Sequence, residues 1–377
     1  MGLLKNMGLW AKQCEEANYS NGKLNFGLNP ENFNWLIEGE NTEVLTHLKQ
    51  CDWVKNKVDL IYIDPPFATN NNFWVGEDRI STMSSSQNGQ LAYSDKLQGE
   101  EFLHFLYQRF LLLKDLLSEQ GSIYVHTDYK IGHYVKILLD EVFGIDAFKN
   151  DITRIKCNPK NFGRRAYGNV KDMVLFYTKT NNYIWNEVKA SYSDVDKIKL
   201  FPKIDAAGRR YTTIPLHAPS ETKNGKTALP FRHLLPPKGR HWRTSVETLE
   251  LWDKEGRLEW SSKGNPRKKL YFEESEGKKI QDIWEYKDPA KVIYPTEKNS
   301  ELLELIIQTS SNEGSLVLDC FCGSGTTLKA ASQLQRAWIG IDKSTAAIAA
   351  CEQKLNGMPI DIFNSNRNHK YIKLSPQ

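Results

Sequence analysis

Val58, Leu60, Ile61 and Ile63 form a short apolar run that Asp64-Pro65-Pro66 stops abruptly, the pattern of a parallel strand buried on both faces. Further strand-like runs occur at 35–37, 122–126, 172–178, 315–318 and 337–342. Between them the apolar positions recur at helical spacing. Phe102, Leu103, Leu106, Phe110, Leu113 and Leu117 predict one helix, with Gly121 closing it, and Ile131, Val135, Leu138 and Val142 predict another. Residues 42–48, 300–307 and 327–334 predict three more helices, and Ser344 is placed to cap a last one. Strands alternating with helices predict an α/β fold with a parallel sheet.

The alternation is not continuous. Residues 1–33 show no period and are set apart as an N-terminal extension; 34–180 form a first α/β half. Residues 181–288 are irregular, with prolines and short aromatic segments, and are expected to make a small separate domain. Residues 289–360 form a second α/β half and 361–377 a tail. The Asn-, Ser- and Gly-rich stretch 68–98 is expected to be a lid or substrate clamp beside a site, with disorder as the competing reading.

The formal charge of +4 hides an asymmetry. Residues 151–270 hold 25 Lys and Arg against 12 Asp and Glu, leaving 25 against 34 elsewhere. A basic block with interleaved Trp and Tyr fits a polyanion, with Arg164, Arg165, Arg240, Arg243, Arg267 and Lys268 as candidate phosphate contacts; a solvated surface is the alternative. No apolar run is long enough to span a bilayer and the amino terminus lacks a signal-peptide pattern, so a soluble cytoplasmic protein is expected. The six cysteines are scattered, which favours reduced thiols, and Cys320 and Cys322 lack the second pair that a zinc site needs.

Two strand ends carry candidate chemistry. After 58–63, Asp64 offers a carboxylate, the prolines remove N–H donors and leave carbonyls free, and Phe67 adds a stacking face; together these suit a planar substrate bearing an amino group. A proline turn is the bland alternative. After 315–318, the run Asp319-Cys320-Phe321-Cys322-Gly323-Ser324-Gly325-Thr326-Thr327 is a glycine loop opening a helix, and Asp342 ends the next strand where a ribose would present two hydroxyls. The third glycine of a dinucleotide fingerprint and the lysine of a P-loop are both missing, so a nucleoside cofactor without pyrophosphate is expected, with S-adenosylmethionine leading. Glu40 is a candidate ligand contact or a solvated loop carboxylate, and His126 a packed or a catalytic histidine.

The order of Asp64-Pro65-Pro66-Phe67, basic segment and late glycine loop resembles the amino-methylating DNA methyltransferases in the permuted β arrangement, across roughly 35–355. Tyr294-Pro295-Thr296-Glu297-Lys298 is similar to that family's His-Pro-Thr-Gln-Lys-Pro element and departs from it at Tyr294, Glu297 and Asn299. Asp319-Cys320-Phe321 stands where the family has Asp-Pro-Phe, and Gly39-Glu40-Asn41 where it has Gly-Asp-Asn. The resemblance implies a Rossmann-like, S-adenosylmethionine-dependent methyltransferase fold with permuted motif order and a target-recognition domain. It implies Asp64, Pro65, Pro66 and Phe67 as catalytic, and Asp319, Phe321, Gly323, Gly325, Thr326, Asp342, Thr296, Lys298 and Glu40 as cofactor-binding. It further implies adenine-N6 methylation of a flipped base in double-stranded DNA, a cognate restriction endonuclease and a homodimer as partners, and no metal. Cytosine-N4 methylation and a non-catalytic nucleic-acid-binding module are the alternatives.

Overall fold

The structure, a computed structural model, describes residues 10, 34–66, 72–75, 90–94, 99–159, 163, 165–289, 297–356, 361–364 and 369–372, with 72–75, 90–94, 361–364 and 369–372 as backbone only. The chain divides into two units, Met1–Val188 with Gln281–Gln377, and Lys189–Ile280.

The elements of the larger unit are, in chain order, β1 (Asn34–Glu38), α1 (Asn41–Leu48), β2 (Val58–Ile63), α2 (Gly99–Leu116), β3 (Leu117–Thr127), α3 (Gly132–Phe143), β4 (Phe148–Ile155) and β5 (Lys171–Thr178). After the smaller unit come β6 (Ile283–Trp284), α4 (Ser300–Ser310), β7 (Leu316–Asp319), α5 (Thr326–Gln333), β8 (Ala337–Asp342), α6 (Thr345–Lys354), β9 (Asp361–Asn364) and β10 (His369–Ile372). Among the described residues the strands join in one sheet of order β6-β4-β5-β3-β2-β7-β8-β1-β9-β10. The run from β3 to β9 is parallel throughout. β5 is antiparallel to both β3 and β4, and β10 to β9.

The apolar run of β2 sits at the centre of this sheet. Val58, Leu60, Ile61 and Ile63 are fully buried, each contributing roughly 1.5–3 kcal/mol by leaving water. Ile61 and Ile63 pack in one core with Phe102, Leu106, Phe110 and Leu113 of α2 and Leu138 of α3. Because alternate residues of a strand face opposite sides, the other face meets a different layer, where Tyr124 of β3 hydrogen-bonds Ser310 of α4 at 2.8 Å.

Several expectations need correction. The helix expected to close at Gly121 ends at Leu116, and β3 starts at once. Gly121 instead lies inside β3, where a Cβ would stand 2.8 Å from the Val58 carbonyl oxygen. The irregular domain expected over 181–288 is narrower: 281–288 returns to the large sheet, because Ile283 and Trp284 pair with Thr153 and Arg154. The expected tail 361–377 contributes β9 and β10, since the edge of β1 still offers unpaired backbone groups. In the stretch 68–98, Asn72–Val75 and Gln90–Ser94 form an antiparallel ribbon.

In the smaller unit an antiparallel sheet takes the order Leu258–Trp260, Pro266–Tyr271, Arg210–Pro215, Lys203–Ile204. Its own core joins Leu216, Phe231, Trp242, Leu249 and Leu258. Helix Val246–Lys254 begins at Ser245, whose side chain accepts the Thr248 N–H.

Candidate active site

At the carboxyl edge of the large sheet, neighbouring parallel strands lead into acids: β2 into Asp64, β7 into Asp319, β8 into Asp342 and β1 into Glu38. From β2 the chain goes on to β3 on one side, and from β7 to β8 on the other, so the strand order reverses between β2 and β7. Open α/β sheets bind ligands in the crevice at such a reversal. Asp64 and Asp319 flank it.

The two oxygens of Asp64 are unequal. Oδ2 is 2.5 Å from the Lys298 ammonium, with both side chains largely buried. Oδ1 is buried and has no hydrogen-bond partner among the described residues. An unpaired buried acceptor of this kind costs about 1–3 kcal/mol, more when charged, and such an atom calls for a donor. Pro65 is buried and Pro66 half-buried. Phe67 and Thr296 lie outside the described residues.

Beyond β7 the chain turns through the glycine loop. Asp319 is buried; its Oδ1 accepts the Phe321 N–H at 3.0 Å and its Oδ2 the Thr327 hydroxyl at 2.6 Å. Burial, with Asp64 and Asp342 adding to it, pushes its carboxyl up to about 7. Asp342 accepts the Gly323 N–H at 3.0 Å and the Ser344 N–H at 2.9 Å, and burial pushes it up to about 6. A carboxylate has about four lone-pair sites, so capacity for further donors such as hydroxyls remains. Gly325 caps α5 in the left-handed region at φ 74°, and a Cβ there would stand 2.8 Å from Cys351 Sγ. The Cys351 thiol donates to the Gly323 carbonyl at 3.0 Å. Thr326 accepts at 2.8 Å from the buried Lys354 ammonium, which also donates to Ser324 at 2.8 Å and to Glu297 at 2.6 Å.

Glu40 has a structural task. Its Oε2 accepts the Thr42 N–H at 2.6 Å and caps α1, while Oε1 pairs with Arg109 at 2.5 Å. Arg109 is itself buried, stacked 3.4 Å from the Phe105 ring centroid, and donates to Asn41 at 2.7 Å; Asn41 donates in turn to the Cys320 carbonyl at 3.0 Å. The chain thus ties α2 to the start of the glycine loop, and Phe105 also faces the Phe321 ring at 6.1 Å. Sequence reading missed Arg109 and Lys354. The signal was present: Arg109 interrupts the apolar stripe of α2 between Leu106 and Leu113, and Lys354 follows Cys351 on the buried side of α6.

Behind Asp64 lies a buried polar network. Tyr62 and His126 are 2.8 Å apart, His126 is 3.4 Å from Asp172, and Asp172 faces Lys156 at 2.6 Å and Arg154 at 3.5 Å. Burial pushes the His126 imidazole down. Burial opposes ionisation of Asp172, but the contacts from His126 and Lys156 outweigh it and hold its carboxyl well below the usual range. His126 is packed inside this network, and Arg154, fully buried on Asp288 and the Tyr286 carbonyl, is a structural cation of the basic block.

The candidate phosphate contacts differ in exposure. Arg165 is exposed and Arg164 lies outside the described residues. In the smaller unit Arg240 and Arg243 are exposed on either side of the His217–Trp242 pairing, with Arg240 3.1 Å from the His217 ring and Arg243 donating to the His217 carbonyl at 3.3 Å. Arg267 is held by the Thr213 hydroxyl at 2.8 Å and carbonyl at 2.6 Å, and Lys268 lies 3.7 Å from the Trp252 ring centroid. Among the described residues no helix is long and apolar enough to cross a membrane, and no group of three or more His, Cys, Asp or Glu is arranged to hold a metal ion.

Comparison with known proteins bears on this site. A family model described as DNA methylase, covering the N6 and N4 enzymes, matches residues 58–353. The chain is 40% identical over 297 residues to type II methyltransferase M.EcaI of Enterobacter cloacae, covering 77% of this chain and 63% of that protein. It is 29% identical to type II methyltransferase M1.MboII of Moraxella bovis, covering 82% and 94%. It is 25% identical to the Mod subunit of the type III restriction-modification enzyme StyLTI of Salmonella typhimurium, covering 81% and 51%. The chain therefore spans under two thirds of the length of M.EcaI and about half that of the Mod subunit.

Proposed function

The chain belongs to the N6/N4 DNA methylase family, and from that membership we propose that it transfers a methyl group from S-adenosylmethionine to the N6 amino group of an adenine flipped out of double-stranded DNA. The observation that carries this reading is Asp64 Oδ1, a buried acceptor without a partner among the described residues, at the reversal point of a parallel sheet.

The residues present fit the cofactor. The glycine loop opens α5 at the carboxyl edge of the sheet, where close packing on Cys351 requires Gly325, and Asp342 keeps lone pairs for ribose hydroxyls. Asp319 and Asp342 place negative charge where a sulfonium would be favoured. When bound, S-adenosylmethionine supplies an electrophilic methyl whose bond to sulfur breaks as its electron pair leaves with the sulfur.

Asp64 Oδ1 accepts one N–H of the amino group and the Pro65 carbonyl the other. The nitrogen lone pair is thereby drawn out of conjugation and aimed along the displacement line, which is catalysis by orientation and electrostatics. So held by Asp64 and Pro65, the amine would be presented to the methyl that the bound cofactor supplies. The methylated nitrogen is cationic and strongly acidic, and its proton passes to solvent without a strong base. The resemblance gives Phe67 the task of stacking on the base; stacking contributes about 1–3 kcal/mol against a flipping cost of a few kcal/mol. The names of the relatives carry over as a setting: the mark would protect DNA from a cognate endonuclease.

Labelled S-adenosylmethionine and unmethylated duplex DNA test the reading. The wild type should put label into DNA, and Asp64→Ala should abolish transfer while cofactor binding survives. Digestion to nucleosides identifies the acceptor: N6-methyladenine supports the reading, and N4-methylcytosine moves it to the cytosine alternative. Transfer by Asp64→Ala at the wild-type rate removes Asp64 from the mechanism.

A further inference from the structure

Three consecutive residues ahead of α4 leave in three directions. Lys298 reaches Asp64 Oδ2 at 2.5 Å. Glu297 reaches the Lys354 ammonium at 2.6 Å, and that ammonium grips Ser324 and Thr326 of the glycine loop at 2.8 Å each. Asn299 caps α4 by accepting the Glu301 and Leu302 N–H groups at 2.8 and 3.3 Å, and donates to the Lys287 carbonyl at 3.1 Å. Two of the three departures from the family's element, Glu297 and Asn299, thus have partners of their own.

The charges are matched along this path. An ammonium has three donors, and those of Lys354 meet one carboxylate and two hydroxyls in a largely buried position. A glutamate at 297 provides the counter-charge that an uncharged glutamine would not. Lys298 provides the same for Asp64, and by holding Oδ2 it leaves Oδ1 as the acceptor without a hydrogen-bond partner among the described residues.

We infer that Glu297-Lys298 is a strap between the two halves of the site, with Lys298 a positioning residue for the Asp64 carboxylate and Glu297, through Lys354, a positioning residue for the glycine loop. This rests on the methyl-transfer reading and changes one part of it: Lys298 acts on the catalytic carboxylate and is not a cofactor contact.

The full-length chain tests the division of labour. In Lys298→Met the single-turnover transfer rate at saturating S-adenosylmethionine should fall roughly tenfold to a hundredfold, the scale of a misplaced catalytic group. Its calorimetric Kd for the cofactor should stay within about twofold, and Lys298→Arg should recover part of the rate, because it restores a cationic donor. Lys354→Met and Glu297→Gln should do the reverse, weakening cofactor binding more than the saturated rate. A Lys298→Met chain that binds the cofactor weakly and turns over normally at saturation overturns the inference. The ion pair is also read without catalysis: melting-temperature shifts of Lys298→Met, Asp64→Asn and the double variant should be non-additive, and additive shifts overturn the assignment. Lys298→Gln, which keeps a donor without the charge, runs beside Lys298→Met through the same measurements. A wild-type chain that labels no DNA overturns the methyl-transfer reading instead, and the melting cycle still decides the strap.

Discussion

Asp64, Asp319 and Asp342 are chemically one residue type in three settings. Asp64 is balanced by an ammonium on one oxygen. Asp319 and Asp342 are satisfied by N–H and hydroxyl donors, with no cation supplied by the protein in these bonds, and burial raises them to about 7 and about 6. The sign follows directly. A carboxyl raised above its unfolded value near 3.8 favours the fold while neutral, and that contribution, present below about pH 4, is lost as pH rises through about 6 and about 7. A cationic ligand selects the ionised form. Affinity for S-adenosylmethionine should therefore rise between pH 5.5 and 8, with protons released on binding near pH 6.5. Calorimetry in two buffers of different ionisation enthalpy measures both; a Kd independent of pH would remove these carboxyls from the cofactor site.

At the scale of elements, the site depends on how helices meet strand ends. α5 begins on a glycine because its cap residue adopts φ 74° and α6 passes close enough to leave no room for a Cβ. Gly325→Ala combines a left-handed alanine, about 1–2 kcal/mol, with displacement of Cys351 from its bond to Gly323. The variant should lose roughly 5- to 30-fold in its folded-to-unfolded ratio and so melt lower, and it should bind S-adenosylmethionine more weakly, read by thermal denaturation and calorimetry. α2 acts on the same loop from further away, through Arg109, Asn41 and the Cys320 carbonyl. Glu40 resembled a cofactor carboxylate in sequence because acids after a strand often are. One longer carboxylate reaches both its own helix N-terminus and Arg109.

At the scale of the molecule, the basic block is less uniform than its composition. Arg154 is a core residue, Lys156 faces Asp172, and Lys189, Lys203, Arg209, Arg232 and Arg257 all pair with acids. Exposed cations release counterions on binding a polyanion, and each phosphate neutralised adds about 0.9 to the slope of log K against log salt. Arg240→Ala and Arg243→Ala should each lower that slope by about 1 for duplex DNA. Arg267→Ala and Lys268→Ala should change it less and lower the melting temperature instead, because their side chains hold Thr213 and cover Trp252. Fluorescence anisotropy over a salt series separates the two classes; equal slope losses for all four would contradict it.

What the sequence by itself determined is local. Apolar runs, glycines and prolines act through neighbouring residues, so β2 ending at Asp64-Pro65-Pro66, the glycine loop after β7, Asp342 after β8 and the Ser344 cap were all legible. A misplaced glycine shows the limit: Gly121 looked like a helix stop, and only its approach to the Val58 carbonyl across the sheet explains it. Contacts between residues far apart in the chain leave no local trace beyond a charge on an apolar face, as at Arg109 and Lys354. Tertiary structure alone decided that Lys298 meets Asp64, that Glu40 meets Arg109, and that β2 lies beside β7 where the strand order reverses. Pairing energies depend on which side chains burial brings within about 3 Å of each other, and burial is set by the whole sheet.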